Sequence, residues 1–308
     1  MQPKIVLAIA FAVQAGLAGA LLLTTGAPGP EIVAQPLLEF PSTDVNKVVI
    51  SDGTSATTLV KAGDRWQLVS LGDLPANRGR LTTLLQTLEG LRTRWPVVSS
   101  DSGRERFEVT EEKHQRHLQL FTEEDLRGDY YFGTAPGFKQ THARRADEDE
   151  VYALAFNNFD LPADSNDWLD KGLLKVDQLN AIEGGDYALM RTDDLWSLAG
   201  DDGAAPAALD ATKAAALVSA LQNLQVLRLA DGPAPAGEAR SLTVSDGNTR
   251  WTYEFTKADG QQYVRRSDLP QTFTLSSLDY DRTAAIDRSD LLAAQEQTEV
   301  QSPEQSQE

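Results

Sequence analysis

An internal repeat is the feature that most constrains how this chain folds. LQTLEGLR at residues 85–92 recurs as LQNLQVLR at 221–228, with five of eight residues identical. ARRADEDEVYAL at 143–154 aligns without a gap with VRRSDLPQTFTL at 264–275. Two further matches, in the same order along the chain, are GDRWQL (63–68) with DDLWSL (193–198) and DKGLL (170–174) with RSDLL (288–292). The sequence therefore predicts two diverged copies of one module.

Each copy has the same predicted order of secondary structure. Short apolar runs such as KVVI (47–50) predict strands at its start. Leucines at steps of three and four follow, at residues 81–91 in the first copy and 217–227 in the second, and predict one amphipathic helix per copy. Tight-turn signals such as Asp259-Gly260 separate the later strands and favour antiparallel hairpins. The predicted fold class is α+β: two diverged repeats, each a mainly antiparallel sheet with one amphipathic helix.

The amino-terminal segment is apolar over its whole length. Residues 5–23 are all apolar or Gly except Gln14, and a helix over them would be about 28 Å long, close to the hydrocarbon thickness of a bilayer. The fold class therefore includes one N-terminal transmembrane helix. A cleaved signal peptide is the alternative, because residues 18–20 are small like a cleavage site. Lys4 precedes the segment and the next basic residue is Lys47. This charge pattern predicts a single-pass inner-membrane protein with a cytoplasmic amino terminus and a periplasmic or extracytoplasmic bulk.

Composition divides the chain into five predicted segments. Pro and Gly follow the apolar segment and indicate an extended stalk. The carboxyl-terminal residues lack an apolar pattern, which predicts a disordered acidic tail. The predicted boundaries are an N-terminal membrane anchor at 1–25, a stalk at 26–42, module 1 at 43–174, module 2 at 175–292 and the tail at 293–308.

Charge and composition exclude several classes of function. The chain has 46 acidic and 28 basic residues, a formal net charge of -18, and such a surface repels phosphate backbones, which argues against nucleic-acid binding. It has no cysteine, which excludes disulfides and thiolate chemistry. No G-x-S-x-G, H-E-x-x-H or phosphate-binding glycine motif occurs. We therefore expect no catalytic site, no cofactor and no metal.

Two features resemble metal sites without their spacing. His114 and His117 lie three residues apart after two glutamates, which would suit a metal if the segment were helical. The segment runs into a predicted strand that would splay the two imidazoles, so a solvated charged turn is the favoured interpretation. The acidic clusters at 147–150 and 201–203 lack the alternating ligands of a calcium loop and are predicted to be solvated loops.

Two matched dibasic steps stand out in this acidic chain. A strand sends adjacent side chains to opposite faces, so we expect one Arg of each pair to point inward and to pair with a carboxylate. The alternative is an anchor for an acidic group on a partner or ligand. The two matched tryptophans are expected to pack in the core, with ligand stacking as the alternative. The candidate structural or partner-binding residues are thus Arg144, Arg145, Arg265, Arg266, Trp66 and Trp196.

With these residues the chain resembles the domain-of-unknown-function 4340 family. The resemblance rests on the Trp strand, the leucine helix that ends in LR, DYYFG at 129–133, the RR-to-YAL segment and the closing DKGLL. It covers roughly residues 43–292, in two copies behind an amino-terminal anchor. The second copy departs from the pattern, because TRWTYEF lacks the glycine that follows Phe132. A ligand that used Gly133 would therefore be confined to the first copy.

The resemblance implies a role without implying a reaction. Members of the family look like membrane-tethered extracytoplasmic proteins, and some are associated with ABC transporter components of the gliding-motility type. This implies an accessory or scaffold protein that binds protein partners, among them permease and ATPase subunits, and it supplies no catalytic residues. A periplasmic ligand-binding protein, or a hydrolase with an unrecognised site between the modules, is the alternative.

Overall fold

The computed structural model describes residues 11–20, 33–199 and 208–293. The predicted tail from residue 294, residues 26–32 of the predicted stalk and the acidic cluster at 201–203 lie outside these ranges. Two compact units are formed: unit 1 takes the chain up to Val45 together with Leu84–Leu161, and unit 2 takes Asn46–Thr83 and the chain from Pro162 onward. The predicted module boundaries concern a repeat rather than these units, and they stay a prediction.

Strands dominate both units. In chain order they are β1 (Gln35–Pro36), β2 (Lys47–Ser51), β3 (Ala56–Ala62), β4 (Arg65–Leu68), β5 (Leu74–Pro75), β6 (Arg92–Thr93), β7 (Arg116–Thr122), β8 (Asp125–Phe132), β9 (Thr141–Arg145), β10 (Tyr152–Leu154), β11 (Ala181–Glu183), β12 (Ala188–Thr192), β13 (Leu195–Leu198), β14 (Val226–Leu229), β15 (Glu238–Ser245), β16 (Arg250–Ala258), β17 (Gln261–Arg266) and β18 (Thr272–Leu275). The helices are α1 (residues 11–20), α2 (Arg78–Gly90), α3 (Asp101–Arg106), α4 (Ala211–Gln222), α5 (Ser277–Thr283) and α6 (Arg288–Leu291). The α+β class with antiparallel sheets is confirmed.

The transmembrane helix in the predicted fold class is wrong. Within the predicted segment 5–23, the structure describes residues 11–20, which are helical. Over the described ranges 11–20, 33–199 and 208–293, no helix combines the length and the apolarity that a membrane crossing requires. Residues 5–10 and 21–23 lie outside the described part.

Unit 1 is built on an antiparallel run of strands in the order β10-β9-β8-β7. The register places Tyr130 opposite Arg145 and Tyr131 opposite Arg144. Alternation along β8 and β7 buries the apolar side chains that form the core of this unit, since successive residues point to opposite faces. Those fully or nearly fully buried are Leu118, Leu120, Tyr130, Phe132, Leu154 and Phe156, together with Leu84, Leu85 and Leu88 of α2.

Unit 2 contains a sheet of eight antiparallel strands in the order β13-β12-β11-β15-β16-β17-β18-β14. One face is buried beside the leucines of α4; its members are Leu242, Val244, Tyr253, Phe255, Val264, Phe273 and Leu275. The other face is polar and at least partly open; its members include Thr243, Thr252, Glu254, Thr256, Tyr263, Arg265 and Thr274. The strands β2, β3, β4 and β5 also belong to this unit and pair in that order.

Candidate functional site

The two arginine pairs lie on β9 and β17, and each strand sends one member inward. Arg144 and Arg266 are each 9% exposed. The side chains of Arg145 and Arg265 are 18% and 49% exposed. The gap-free alignment matches Arg144 with Arg265 and Arg145 with Arg266, so the two most buried guanidinium groups, those of Arg144 and Arg266, are not aligned with each other.

Arg145 and Arg266 share one arrangement with a tyrosine on the neighbouring strand. In each case the guanidinium carbon lies 5.9 Å from the centroid of the ring opposite, that of Tyr130 or Tyr253. Burial raises the pKa of both phenols. Each hydroxyl donates to a main-chain carbonyl, Tyr130 to Leu37 at 3.0 Å and Tyr253 to Leu174 at 2.5 Å. Each tyrosine thus holds a segment that is distant in the chain against the sheet through its hydroxyl, while its ring contacts the arginine on the neighbouring strand.

The four arginines differ in their hydrogen-bond partners. Arg266 holds Asp268 through two parallel bonds of 2.7 and 3.0 Å, which is the carboxylate partner that the sequence predicts. Arg144 instead donates from Nε to the carbonyl of Val109 at 2.7 Å and from Nη1 to three carbonyls of residues 145–148. Burial lowers the pKa of Arg144, although it stays far above neutral pH. Arg144 therefore binds main chain where a carboxylate was predicted.

The chain itself covers the face of unit 1 that carries Arg144. Val109, Tyr131 and Val151 form a buried cluster against which Val98 and Phe107 pack. The ring of Phe107 also stacks on the imidazole of His142, with centroids 4.0 Å apart. Gly133 lies directly beneath this segment, and a β-carbon there would overlap the carbonyl oxygens of residues 107 and 108. The main chain of residues 107 and 108 thus occupies the space that the missing side chain of Gly133 leaves.

The face of the unit 2 sheet that carries Arg265 is an open groove. Arg265 lies on it and donates to Glu254 at 2.6 Å, and both side chains are about half exposed. A cavity of about 620 Å³ lies beside this pair. Its lining includes Leu229, Ala230, Pro233, Glu254, Arg265 and Gln271. The Oε1 atom of Gln271 is buried and has no hydrogen-bond partner among the described residues, which is rare for a buried acceptor.

A larger cavity of about 820 Å³ lies beside α4, α5 and α6. Its polar side chains already serve the adjoining helix ends. Lys213 donates to the carbonyl of Leu292 at 2.9 Å, Asp290 accepts from the amide of Asp287 at 3.0 Å, and Asp279 accepts from Ser276 at 2.7 Å. Helix capping explains these groups, and so the groove beside Arg265 is the stronger candidate site.

The histidines form a cluster that the sequence did not predict. His117 stacks on Tyr131 with centroids 4.5 Å apart, and the rings of His114 and His117 approach to 5.6 Å instead of splaying. His117 Nε2 lies 2.5 Å from Asp129 Oδ1. Burial alone would raise the pKa of Asp129, but hydrogen bonds from His117 and Gln119 outweigh it and hold that pKa below its usual value. No group of three potential metal ligands occurs among the residues that the structure describes.

The two matched tryptophans take different positions. Trp66 lies on β4 and is 7% exposed, whereas Trp196 lies on β13 and is half-buried. Neither indole lines the cavity beside Arg265. No sequence pattern singled out Trp168, which is fully buried and donates from Nε1 to the carbonyl of Pro162 at 2.9 Å. The guanidinium carbon of Arg80 lies 4.9 Å from the centroid of its ring. In the acidic cluster at 147–150, Asp149 pairs with Arg104 at 2.6 Å.

Comparison with known proteins gives one finding. The model of a family described as a domain of unknown function, DUF4340, matches residues 66–245, more than half of the chain. No curated protein and no solved structure matches. The matched region contains α4 and the Tyr130–Arg145 pair, whereas Tyr253, Arg265 and Arg266 lie beyond its last residue.

Proposed function

Because the chain belongs to the DUF4340 family, whose function is unknown, we propose a role from its surfaces: an accessory or scaffold protein that binds a protein partner through the groove beside Arg265. The observation that carries this proposal is the difference between two matching sheet faces. One is covered by the chain's own residues 98–109, and the other carries the half-exposed pair of Arg265 with Glu254.

The groove has the properties of a binding surface rather than of a catalytic centre. It combines a few polar groups with an apolar lining that includes Leu229 and Pro233. Its charged pair is half exposed, and such pairs contribute little to stability, so a partner can replace one member at low cost. A partner that covers Arg265 would provide for the sheet of unit 2 the covering segment that residues 98–109 of the same chain provide for the sheet of unit 1.

We propose that the chain is two diverged copies of one module, at 43–174 and 175–292. The two sheet faces would then correspond to each other. In each copy three strands, β2-β3-β4 or β11-β12-β13, precede a leucine-rich helix. Four strands in antiparallel succession, β7 to β10 or β15 to β18, follow the helix. The Tyr130–Arg145 and Tyr253–Arg266 pairs stand at equivalent positions of the last four strands, which supports the proposed duplication.

We further propose that the partner belongs to an ABC-transporter-associated complex of the gliding-motility type, with the chain on the extracytoplasmic side. The family resemblance supports this assignment. The formal net charge of -18 is consistent with it, because it favours a protein partner over nucleic acid or an anionic membrane surface. Permease and ATPase subunits are the partners to look for first.

Affinity purification of the tagged full-length chain from native membranes tests this proposal. Recovery of a permease or ATPase subunit at stoichiometric yield is expected, and Arg265→Glu should abolish it. Arg250→Glu is the matched control, since Arg250 is an exposed arginine on β16 that pairs with Glu183 at 3.2 Å and does not line the groove. Recovery of the chain alone, or equal recovery of the partner with both variants, would contradict the proposal.

A further inference from the structure

The strand β13 forms one edge of the eight-stranded sheet, and two of its residues turn their main-chain groups away from the sheet. Arg191 lies opposite Trp196 but donates its amide to Asn180 on the other side, so Trp196 makes no main-chain hydrogen bond to β12. Leu198, two residues on, points the same way. The N–H and C=O groups of Trp196 and Leu198 thus point outward, and they have no hydrogen-bond partner among the described residues.

The opposite edge of the same sheet, at β14, is closed by the chain itself. The amide of Val226 donates to the carbonyl of Lys171 at 2.9 Å. The ammonium group of Lys171 donates in turn to the carbonyl of Leu227. The amide of Leu229 donates to Asn166 Oδ1 at 2.8 Å. Because an open strand edge is a template for another strand, proteins cover their edges in this way.

The aligned strand of the first copy shows which kind of group covers such an edge. Trp66 on β4 aligns with Trp196, and its carbonyl accepts from the amide of Ala76 at 2.8 Å. The carbonyl of Leu68, two residues on, accepts from the amide of Asp73 at 3.0 Å. There β5 runs antiparallel beside β4, and Trp66 is only 7% exposed. The main chain of an antiparallel strand is therefore what this position accepts, and Trp196, without it, is half-buried.

The described residues before α4 do not cover β13 in the same way. Leu209 forms a bridge with Leu292, as Ala76 does with Leu169. Ala76 also donates to the neighbouring strand, whereas no donor among the described residues reaches the carbonyl of Trp196. The edge at β13 is thus open where the edge at β4 is paired.

We propose that β13 pairs with β13 of a second copy of this chain, antiparallel and about a two-fold axis at Ser197. In this register Trp196 faces Leu198 of the second copy, and the two residues exchange both of their main-chain hydrogen bonds. The two-fold axis repeats the exchange, so the outward groups of both residues are satisfied in both copies. The inference goes beyond the proposed function and does not rest on it.

The composition of β13 suits pairing with itself. Residues 195–199 carry no charge, in a chain whose net charge of -18 otherwise makes its copies repel each other. Trp196 and Leu198 lie on one face, so an indole packs beside a leucine at both ends of the pairing. On the other face Ser197 meets Ser197 of the second copy. Leu195, which is 73% exposed, then faces Ala199 of the second copy.

Sedimentation equilibrium of the full-length chain in mild detergent tests the inference, and a dimer is expected. Ser197→Glu should raise the dissociation constant of the dimer at least about tenfold, because two carboxylates then face each other. Ser197→Lys should act alike, and a mixture of the two variants should restore the dimer, since opposite charges then meet. Thr192→Glu is the control, at an exposed position on the same face of β12, and should change the constant less than about twofold. Unchanged melting temperatures establish that the variants are folded.

Cross-linking gives a second readout of the register. The chain has no cysteine, so Ser197→Cys introduces its only thiol. Facing residues of a non-hydrogen-bonded antiparallel pair have Cα atoms about 4.5 Å apart, a distance that a disulfide spans. Mild oxidation should therefore link Ser197→Cys into a covalent dimer and leave Thr192→Cys unlinked.

Three results would overturn the inference. The first is a monomer at every concentration in the centrifuge. The second is a dimer that both charged variants at Ser197 leave intact, which would place the contact elsewhere on the chain. The third is equal cross-linking through Ser197→Cys and Thr192→Cys.

Discussion

The main-chain carbonyl of Phe107 lies so close to Gly133 that a β-carbon on Gly133 would overlap it. The amide of Thr134 donates to the same carbonyl at 2.9 Å. This approach seats the covering segment, residues 98–109, on the sheet of unit 1. In the aligned sequence of β16 the corresponding residue is Thr256, which lines the groove beside Arg265.

Gly133→Ala should destabilise the protein by more than about 2 kcal/mol, because the added methyl group forces the main chain of residues 107–108 away from the sheet. The free energy of unfolding in urea measures this. Gly137→Ala in the same loop is the control: the nearest atom to its added β-carbon is Gln140 Oε1 at 3.6 Å, and we expect a change within about 0.5 kcal/mol. Equal effects of the two substitutions would show that the close approach is not required.

Arg144→Met should cost about 2–4 kcal/mol of stability, because it leaves four main-chain carbonyls without their shared donor in a buried site. Arg265→Met, at the equivalent position of the repeat, should change the free energy of unfolding by less than about 1 kcal/mol, since its pair with Glu254 is half exposed. Chemical denaturation of both variants provides the comparison. A loss of stability at Arg265 as large as that at Arg144 would mean that Arg265 is a structural residue.

Tyr253→Phe should lower the free energy of unfolding by about 1–2 kcal/mol, because it removes the buried donor to the carbonyl of Leu174. Tyr130→Phe should act alike through the carbonyl of Leu37. Tyr263→Phe serves as the control, because the hydroxyl of this half-buried tyrosine makes no hydrogen bond within the described residues. Thermal unfolding of the three variants side by side measures the difference, and a change at Tyr263 that equals the other two would refute the assignment.

The hydrogen bond between Asp129 and His117 should make stability depend on pH in the acid range. The folded-state pKa of Asp129 lies below its ordinary value, so the carboxylate binds its proton less readily in the folded than in the unfolded chain. The stability that the Asp129 carboxylate contributes is therefore complete above its pKa in the unfolded chain. It is lost as the pH falls through its pKa in the folded chain. The stability difference between wild type and Asp129→Asn should be constant at about pH 5–6 and should shrink below about pH 4.

Urea unfolding of both proteins across this range provides the measurement. Asp125→Asn, at an exposed position of the same strand, is the control and should show no comparable pH-dependent difference. A difference for Asp129→Asn that stays constant down to pH 2 would contradict the assignment of the shifted carboxyl.

Local patterns predicted the elements that build the sheets and their helices. The leucine spacing of 81–91 places α2, and its Leu84 and Leu88 are buried as a helix face requires. In β16, Tyr253 and Phe255 alternate with the more exposed Thr252 and Glu254, as a strand with one core face requires. These properties depend on residues that are neighbours in sequence, which is why the sequence carries them.

Whether each sheet face is covered or open could not be predicted from the sequence, because this depends on contacts between residues that are distant in the chain. Alternation shows that one arginine of each pair points inward, but it does not show which, and the answer differs between Arg144 and Arg266. The seating of Phe107 on Gly133 joins positions 26 apart in the chain, with no pattern that links them. The glycine itself was the available signal, because only a residue without a β-carbon fits beneath the main chain of residues 107 and 108.

Site-specific photocrosslinking of the full-length chain in its native cells tests the central claim most directly. A photoreactive residue at Ala234, which lines the groove, should form an adduct with a single partner protein, and Arg265→Glu should abolish that adduct. The same residue at Ala215, an exposed position on α4, should form no such adduct. Adducts from Ala215 with none from Ala234, or adducts at Ala234 that persist with Arg265→Glu, would contradict a partner-binding groove beside Arg265.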